Sequence, residues 1–271
     1  VAQELGLYAE HGLAVELIAP ADPNDPPKLV AAGKADVAIS YQPQLHLHVD
    51  QGLPLVRFGT LVATPLSTLT VLADGPIHTL ADLKGRKVGF SIAGTEEATL
   101  NAMLGTVGLG LADVELINVN FSLSPSLISG QVDAVVGAYR NFELNQMDIV
   151  GRPGRAFYVE EHGVPPYDQL IYVAHRDRAG DPRLARFLDA TEKAVLFMVN
   201  HPDEAWALFA SHHREVDDEL NRRAWRDTLP RFAHSPAALD PRRYQRMAEF
   251  MKAAGLIGSV PPVESYAVTV R

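Results

Sequence analysis

The chain has 271 residues, 47% of them hydrophobic, and a formal charge of −9. Its length and apolar content suit one large folded unit or two lobes with cores of their own, and exclude an intrinsically disordered chain. The acidic balance excludes a nucleic-acid binder, because phosphate contacts need clustered Lys and Arg; the two basic runs, 222–226 and 241–246, read as solvated helix faces.

In chain order, a first helix occupies VAQELGLYAEHGL, closed by Gly12, and AVELIA (14–19) reads as a strand. The chain opens directly on that helical pattern, without Met or a preceding strand, so a trimmed start with a leader lying upstream is expected. In ADPNDPP, Asp25 is placed to cap the next helix, with Pro26 at its first position. Gly33 ends that helix and ADVAIS is a short buried strand. The order strand, loop, helix, strand predicts a parallel crossover unit, whose ligands sit beyond the carboxyl ends of the strands.

Residues 55–73 read as extended strands. Thr79 starts a short helix that Gly85 ends, and KVGFS is a new strand. IAGTEEATLNAMLGTVGL predicts a tight turn and a helix with Thr95 as its N-cap and Glu96 and Glu97 in the first turn, where the helix dipole favours acids. VELINVNFS is a strand and SPSLISG a short helix. FYVEEHGVPPYDQLIYVAHRD returns through extended segments, and beyond Asp181 amphipathic stretches predict helices packed on the first lobe. The chain thus leaves a first lobe near residue 73 and re-enters it near 170. The expected division is a discontinuous lobe of 1–73 plus 171–271 and a continuous lobe of 74–170.

One phrase occurs twice: VAAGKADVAISYQPQ (30–44) and LISGQVDAVVGAYRNFE (127–143). Each has a Gly three residues ahead of an Asp, then a short apolar run broken by polar and aromatic side chains. Asp36 and Asp133 match, 133 − 36 = 97 residues apart. That spacing is too long for a solenoid unit and suggests two similar half-domains, each delivering side chains to a cleft at a strand end.

Catalytic signatures are missing: there is no GxSxG, HExxH, GxGxxG or phosphate loop ending in GK[ST], and cysteine is absent. His46 and His48, two apart, and the adjacent His212 and His213 face different ways on a helix and read as packing or surface residues. No apolar run is long enough to span a bilayer, and no signal peptide pattern is present.

The binding candidates are better placed. Tyr41 and Gln42 follow the first strand and offer an aromatic face, an amide and free N–H groups at a helix start; the alternative is core packing for Tyr41 and capping for Gln42. Tyr139, Arg140, Asn141, Phe142 and Glu143 end the second copy. Glu143 can accept from an amino group and a neighbouring protonated ring nitrogen, or else be solvated or pair with Arg140, and Phe142 is assigned to the core. At Gly94, Thr95, Glu96 and Glu97 the turn brings N–H groups suited to an anion together with two acids. That opposition favours a neutral or cationic amino-bearing ligand over a simple oxyanion.

With these residues in hand, the chain resembles periplasmic solute-binding proteins of the type II two-lobe fold, in the group that takes up sulfonates, nitrate and thiamine pyrimidines. It most resembles the binding proteins for thiamine pyrimidine precursors that serve ABC importers. The resemblance rests on PADPNDPPKLVAAGKADVAISYQPQL, GLPLVRFGTLVATPLSTLTVL, NVNFSLSPSLISGQVDAVVGAYRNFELNQ and EEHGVPPYDQLIYVAHRD, which span most of residues 1–178. It implies an α/β fold of two lobes, each a mixed, mostly parallel sheet flanked by helices. It further implies a sandwiched aminopyrimidine gripped by a carboxylate from Asn141 to Glu143, with Tyr41 and the Gly94 turn lining the cleft. The protein would be a non-enzymatic monomer without a cofactor, outside the cytoplasmic membrane or lipid-anchored there, and would hand its ligand to a permease. The family's N-terminal strand, with its Trp, Pro and Asn near the ligand, would lie upstream of Val1. Two rivals stand beside this reading. One is a thiamine-pyrimidine synthase of the same fold, which in its eukaryotic members uses a cysteine-rich motif, histidines and pyridoxal phosphate, and against which the absence of Cys argues. The other is a binder of alkanesulfonate or nitrate oxyanions.

Overall fold

A computed structural model describes residues 1–22 and 24–270. Along the chain run α1 (Leu7–Glu10), α2 (Pro26–Ala31), β1 (Val37–Ser40), α3 (Gln42–Asp50), β2 (Leu55–Val62), β3 (Ser67–Leu72), β4 (Lys87–Phe90), α4 (Thr95–Gly105), β5 (Glu115–Asn118), α5 (Leu123–Ile128), β6 (Ala134–Tyr139), α6 (Glu143–Ile149), β7 (Gly154–Tyr158) and β8 (Leu170–His175). Four helices complete it: α7 (Pro182–Asn200), α8 (Pro202–His212), α9 (Glu219–Thr228) and α10 (Pro241–Ala253).

The strands form two sheets, one ordered β1-β8-β2 and the other β5-β4-β6-β3-β7. The architecture is the expected mixed α/β one with two sheets, but strand direction corrects the expectation of mostly parallel pairing. In the three-stranded sheet β8 runs antiparallel to both neighbours, and in the five-stranded sheet only β4 pairs in parallel, with β5 and β6.

The parallel crossover expected near the start is not formed. Residues 14–20 carry no regular structure, and Leu17 and Ile18 are 67% and 73% exposed. An apolar run becomes a strand only when another strand satisfies its backbone groups, and none lies beside this one among the described residues.

The passage between sheets also differs from the expected one near residue 73. β3 belongs to the five-stranded sheet, so the first crossing falls within 63–66. Its five leading residues are all buried, so its sequence carries no sign of which sheet claims it. The second crossing, residues 159–169, lies against the first: Leu66 and Ser67 donate their N–H groups to Gln169 Oε1 at 2.7 and 3.2 Å.

The C-terminal helices do more than cover the first sheet. α10 places Tyr244 in the core under β8 with Leu45, Leu55 and Tyr266, and Met247, Ala248 and Met251 in the core of the five-stranded sheet with Leu69, Leu100 and Met103. A buried polar network fixes α10 to the second crossing. The fully buried Arg57 donates to Thr60 Oγ1 at 2.7 Å, and Thr60 donates to Asp168 Oδ2 at 2.8 Å. Tyr244 donates to the same Asp168 oxygen at 3.1 Å, and Arg243 binds the other. Arg57 and Asp168 thus each have several partners in this network, as buried charges require.

Candidate ligand-binding cleft

The two copies of the repeated phrase build matching joints. Gly33 and Gly130 close α2 and α5 with φ of +69° and +76°, a conformation that only Gly adopts without strain. Asp36 and Asp133 then tie down the strand starts: Asp36 Oδ1 accepts from Arg178 Nη1 at 2.7 Å, and Asp133 Oδ2 accepts from the Lys87 N–H at 2.9 Å. β1 and β6 carry the chain to Tyr41 and Tyr139. These two tyrosines line one cavity.

Thr95, Glu96, Tyr167 and Gln169 share that cavity, and no Lys, Arg or His among the described residues lines it. Its volume is about 30 Å³, on the scale of a single water, whereas small-molecule pockets run to roughly 300–1,000 Å³. A ring-sized ligand needs more room than this cavity offers.

The turn before α4 has a use the sequence left open. Gly94, with φ +82°, is the N-cap in place of the expected Thr95, and Glu97 reaches back to accept from the Gly94 N–H. Gly wins because the chain needs a positive φ there, which Thr adopts only at a cost. Glu96 Oε2 accepts from the N–H groups of Ser91 and Ile92 at 2.6 and 3.1 Å. The Ser91, Ile92 and Gly94 amides of this turn are therefore already taken by the chain's own carboxyls.

Room for Glu96 comes from the opposite strand. Thr68 pairs with Ala138 and Leu69 with Val136, which leaves Gly137 as an unpaired bulge residue with φ +93°. A Cβ at Gly137 would lie 2.1 Å from Glu96 Oε1, so the carboxyl fills the place of the missing side chain. Glu96 is half-buried and lines the cavity. That burial pushes its pKa up to about 8 against the two amides that favour the charge, and Glu97 and Glu143 push the same way. Burial also raises Glu143, opposed by the Tyr139 N–H that donates to its Oε2 at 2.7 Å. Tyr41 and Tyr139 are raised by burial as well, and Tyr167 is pushed up to about 12.

Other sequence candidates are spent on the scaffold. Gln42 is fully buried beneath the cavity, its Oε1 accepting from the Asp168 N–H at 2.8 Å, and its Nε2 has no partner among the described residues. Asn141 turns to α9, where Nδ2 donates to Thr228 Oγ1 at 2.7 Å. Arg140 forms a two-pronged pair with Glu160, both bonds 2.8 Å, and lies over the Tyr158 ring, which frees Glu143 from it. Phe142, half-buried, is the N-cap of α6 and stands outside the core clusters. His46 and His48 are buried in α3 packing, and no group of three or more metal-ligating side chains occurs among the described residues. No described helix is long and apolar enough to cross a membrane.

Gln169 was missed, and it organises the site. Its Oε1 takes the Leu66 and Ser67 amides and the Tyr167 hydroxyl, while Nε2 donates to Tyr139 Oη at 3.2 Å. The segment PPYDQL gave only the signal of an extended return, because no periodicity marks a side chain that bridges two crossings.

The chain matches the family described as NMT1/THI5 like over residues 1–205. It is a member of that family. A Haemophilus influenzae relative, described provisionally as a thiamine biosynthesis protein, is 51% identical over all of this chain and 87% of its own length. The formylaminopyrimidine-binding protein of Halalkalibacterium halodurans is 34% identical over 84% of this chain and 70% of its own. A Schizosaccharomyces pombe member named as a 4-amino-5-hydroxymethyl-2-methylpyrimidine phosphate synthase is 25% identical over 95% of this chain and 77% of its own. Among solved structures, the alkanesulfonate-binding protein of Xanthomonas axonopodis bound to MOPS superposes with a TM-score of 0.77 at 16% identity, covering 98% of this chain and 94% of its own. The NMT1/THI5-like chain therefore has the periplasmic-binding-protein fold.

Proposed function

We propose that this protein is the solute-binding component of an ABC importer, holding a small aminopyrimidine of the thiamine-precursor type between its two lobes and passing it to a permease from outside the cytoplasmic membrane. The observation that carries the reading is the self-occupied turn before α4. Glu96 and Glu97 occupy the Ser91, Ile92 and Gly94 amides of that turn, and the cavity offers carboxyl and tyrosine groups with no basic side chain among the described residues. An amino group and ring nitrogens suit such a lining, and the tyrosine faces suit a flat ring.

The relative named for formylaminopyrimidine binding, at 34% identity, supports the same ligand class. The relative named as a synthase shares less sequence, and the Cys-free chain has nothing to supply a cysteine-rich motif. Lobe closure would turn on the crossings at 63–66 and 159–169, with Tyr41 and Tyr139 meeting across the ligand. Titration calorimetry against 4-amino-5-hydroxymethyl-2-methylpyrimidine and against taurine tests the reading. The aminopyrimidine should bind, taurine should not, and Glu143→Ala should weaken binding more than tenfold by stranding the ligand's donors. Taurine binding alone, or pyridoxal phosphate absorbance with product formation by the purified protein, would overturn it.

A further inference from the structure

We infer that Glu96 is the specificity-determining residue that holds one proton between its carboxyl and a ring nitrogen of the ligand, so that the cleft takes a heterocycle with a basic ring nitrogen and binds it together with a proton. This rests on the ligand class proposed above and goes beyond it by naming the group and the proton. The geometry assigns the role. Glu96 lines the cavity directly, whereas Gln42, Asn141 and Glu143 do not. Its Oε2 is fixed by the Ser91 and Ile92 amides, and its Oε1 is held over the bulge at Gly137, so the carboxyl cannot swing out to solvent when the lobes close.

The charges around it allow one proton and little else. Glu97 on α4 and Glu143 at the start of α6 are the acids that face Glu96; Tyr41 at the α3 start, Tyr139 on β6 and Tyr167 on the second crossing are the remaining titratable neighbours. Arg140, a cation close to this group, is paired with Glu160. Neighbouring carboxyls without a cation to share resist ionising together, which favours a proton on Glu96. Glu96, raised to about 8, carries it at neutral pH and presents an O–H donor to an acceptor nitrogen. No covalent bond forms or breaks; the proton stays on the Glu96–nitrogen pair, and an oxyanion brings no nitrogen to receive it.

Calorimetric titration with 4-amino-5-hydroxymethyl-2-methylpyrimidine from pH 6.5 to about pH 9.5, in phosphate and in Tris, tests this. Affinity should hold steady below the Glu96 pKa of about 8 and fall by roughly tenfold per pH unit above it. The difference in heat between the two buffers should report uptake approaching one proton on the alkaline side. Glu96→Gln, whose amide also donates but does not titrate, should flatten the profile. Wild-type affinity that is flat to the top of the range, or a slope that persists in Glu96→Gln, would overturn the inference while leaving the ligand class intact. Failure of the aminopyrimidine to bind at any pH would instead sink the functional reading and this inference with it. The wild-type proton count stands by itself if the variant folds poorly.

Discussion

Gly137→Ala tests the central claim about the cleft, that a bulge on β6 exists to seat a carboxyl. The new methyl would lie 2.1 Å from Glu96 Oε1, 2.4 Å from Cδ and 2.8 Å from Oε2, distances no real contact tolerates. Glu96 must leave, and with it go the two bonds from the Ser91 and Ile92 amides. Each such bond is worth about 1 kcal/mol net, and the positive φ adds about 1–3 kcal/mol of strain for a residue with a Cβ. The expected loss is therefore roughly 3–5 kcal/mol in urea unfolding, with aminopyrimidine affinity lost as well. In a Glu96→Ala background the clash and the bonds are already gone, so the same substitution should cost only the strain. A double-mutant cycle should then return a coupling of about 2 kcal/mol, far above the ~0.3–0.5 kcal/mol scatter of independent sites. Additive costs would refute the reasoning, since Gly137 would then be needed for the backbone alone.

Acid should destabilise the protein through His46. Its imidazole is 2% exposed beside Tyr266, and burial lowers its pKa to about 3, so it stays neutral in the folded state while the unfolded chain protonates below about 6.5. A folded pKa below the unfolded one gives stability that is present above 6.5 and lost as pH falls toward 3. Between pH 7 and 4.5 the loss is about 2–3 kcal/mol from this residue. His48, lowered to about 4 mainly by burial, adds in the same direction. Urea midpoints measured across this range should fall less steeply in His46→Leu, and an unchanged slope would show that the imidazole is already solvated. Gln169→Ala should cost about 2–4 kcal/mol in unfolding experiments by leaving the Leu66 and Ser67 amides unpaired at the crossing. A loss below about 0.5 kcal/mol would mean that water satisfies those amides as well as the side chain does.

The sequence alone determined what depends on neighbours along the chain. The repeated helix, Gly and strand joints were legible because Gly33 and Gly130 need a positive φ and Asp36 and Asp133 sit at a fixed offset, and Tyr41 and Tyr139 follow at the ends of those strands. So were most strands, the helices beyond Asp181, and the paired acids that turned attention from oxyanions to amino-bearing ligands. Tertiary structure decided whatever depends on partners far along the chain. AVELIA has strand composition but no strand beside it, and β3 reads the same whichever sheet it joins. Thr95 has the chemistry of a cap, yet the turn needed the φ of Gly94. Glu96 was visible as an acid in a first turn, but its seat depends on a bulge that begins with the pairing of Thr68 and Ala138. Gln169 was invisible, because all its partners but Tyr167 lie far along the chain, Leu66 and Ser67 about a hundred residues upstream and Tyr139 on β6. A local pattern specifies backbone conformation within a few residues. Which buried carboxyl meets which amide is set only when the sheets close, since no pattern along the chain encodes a contact across it.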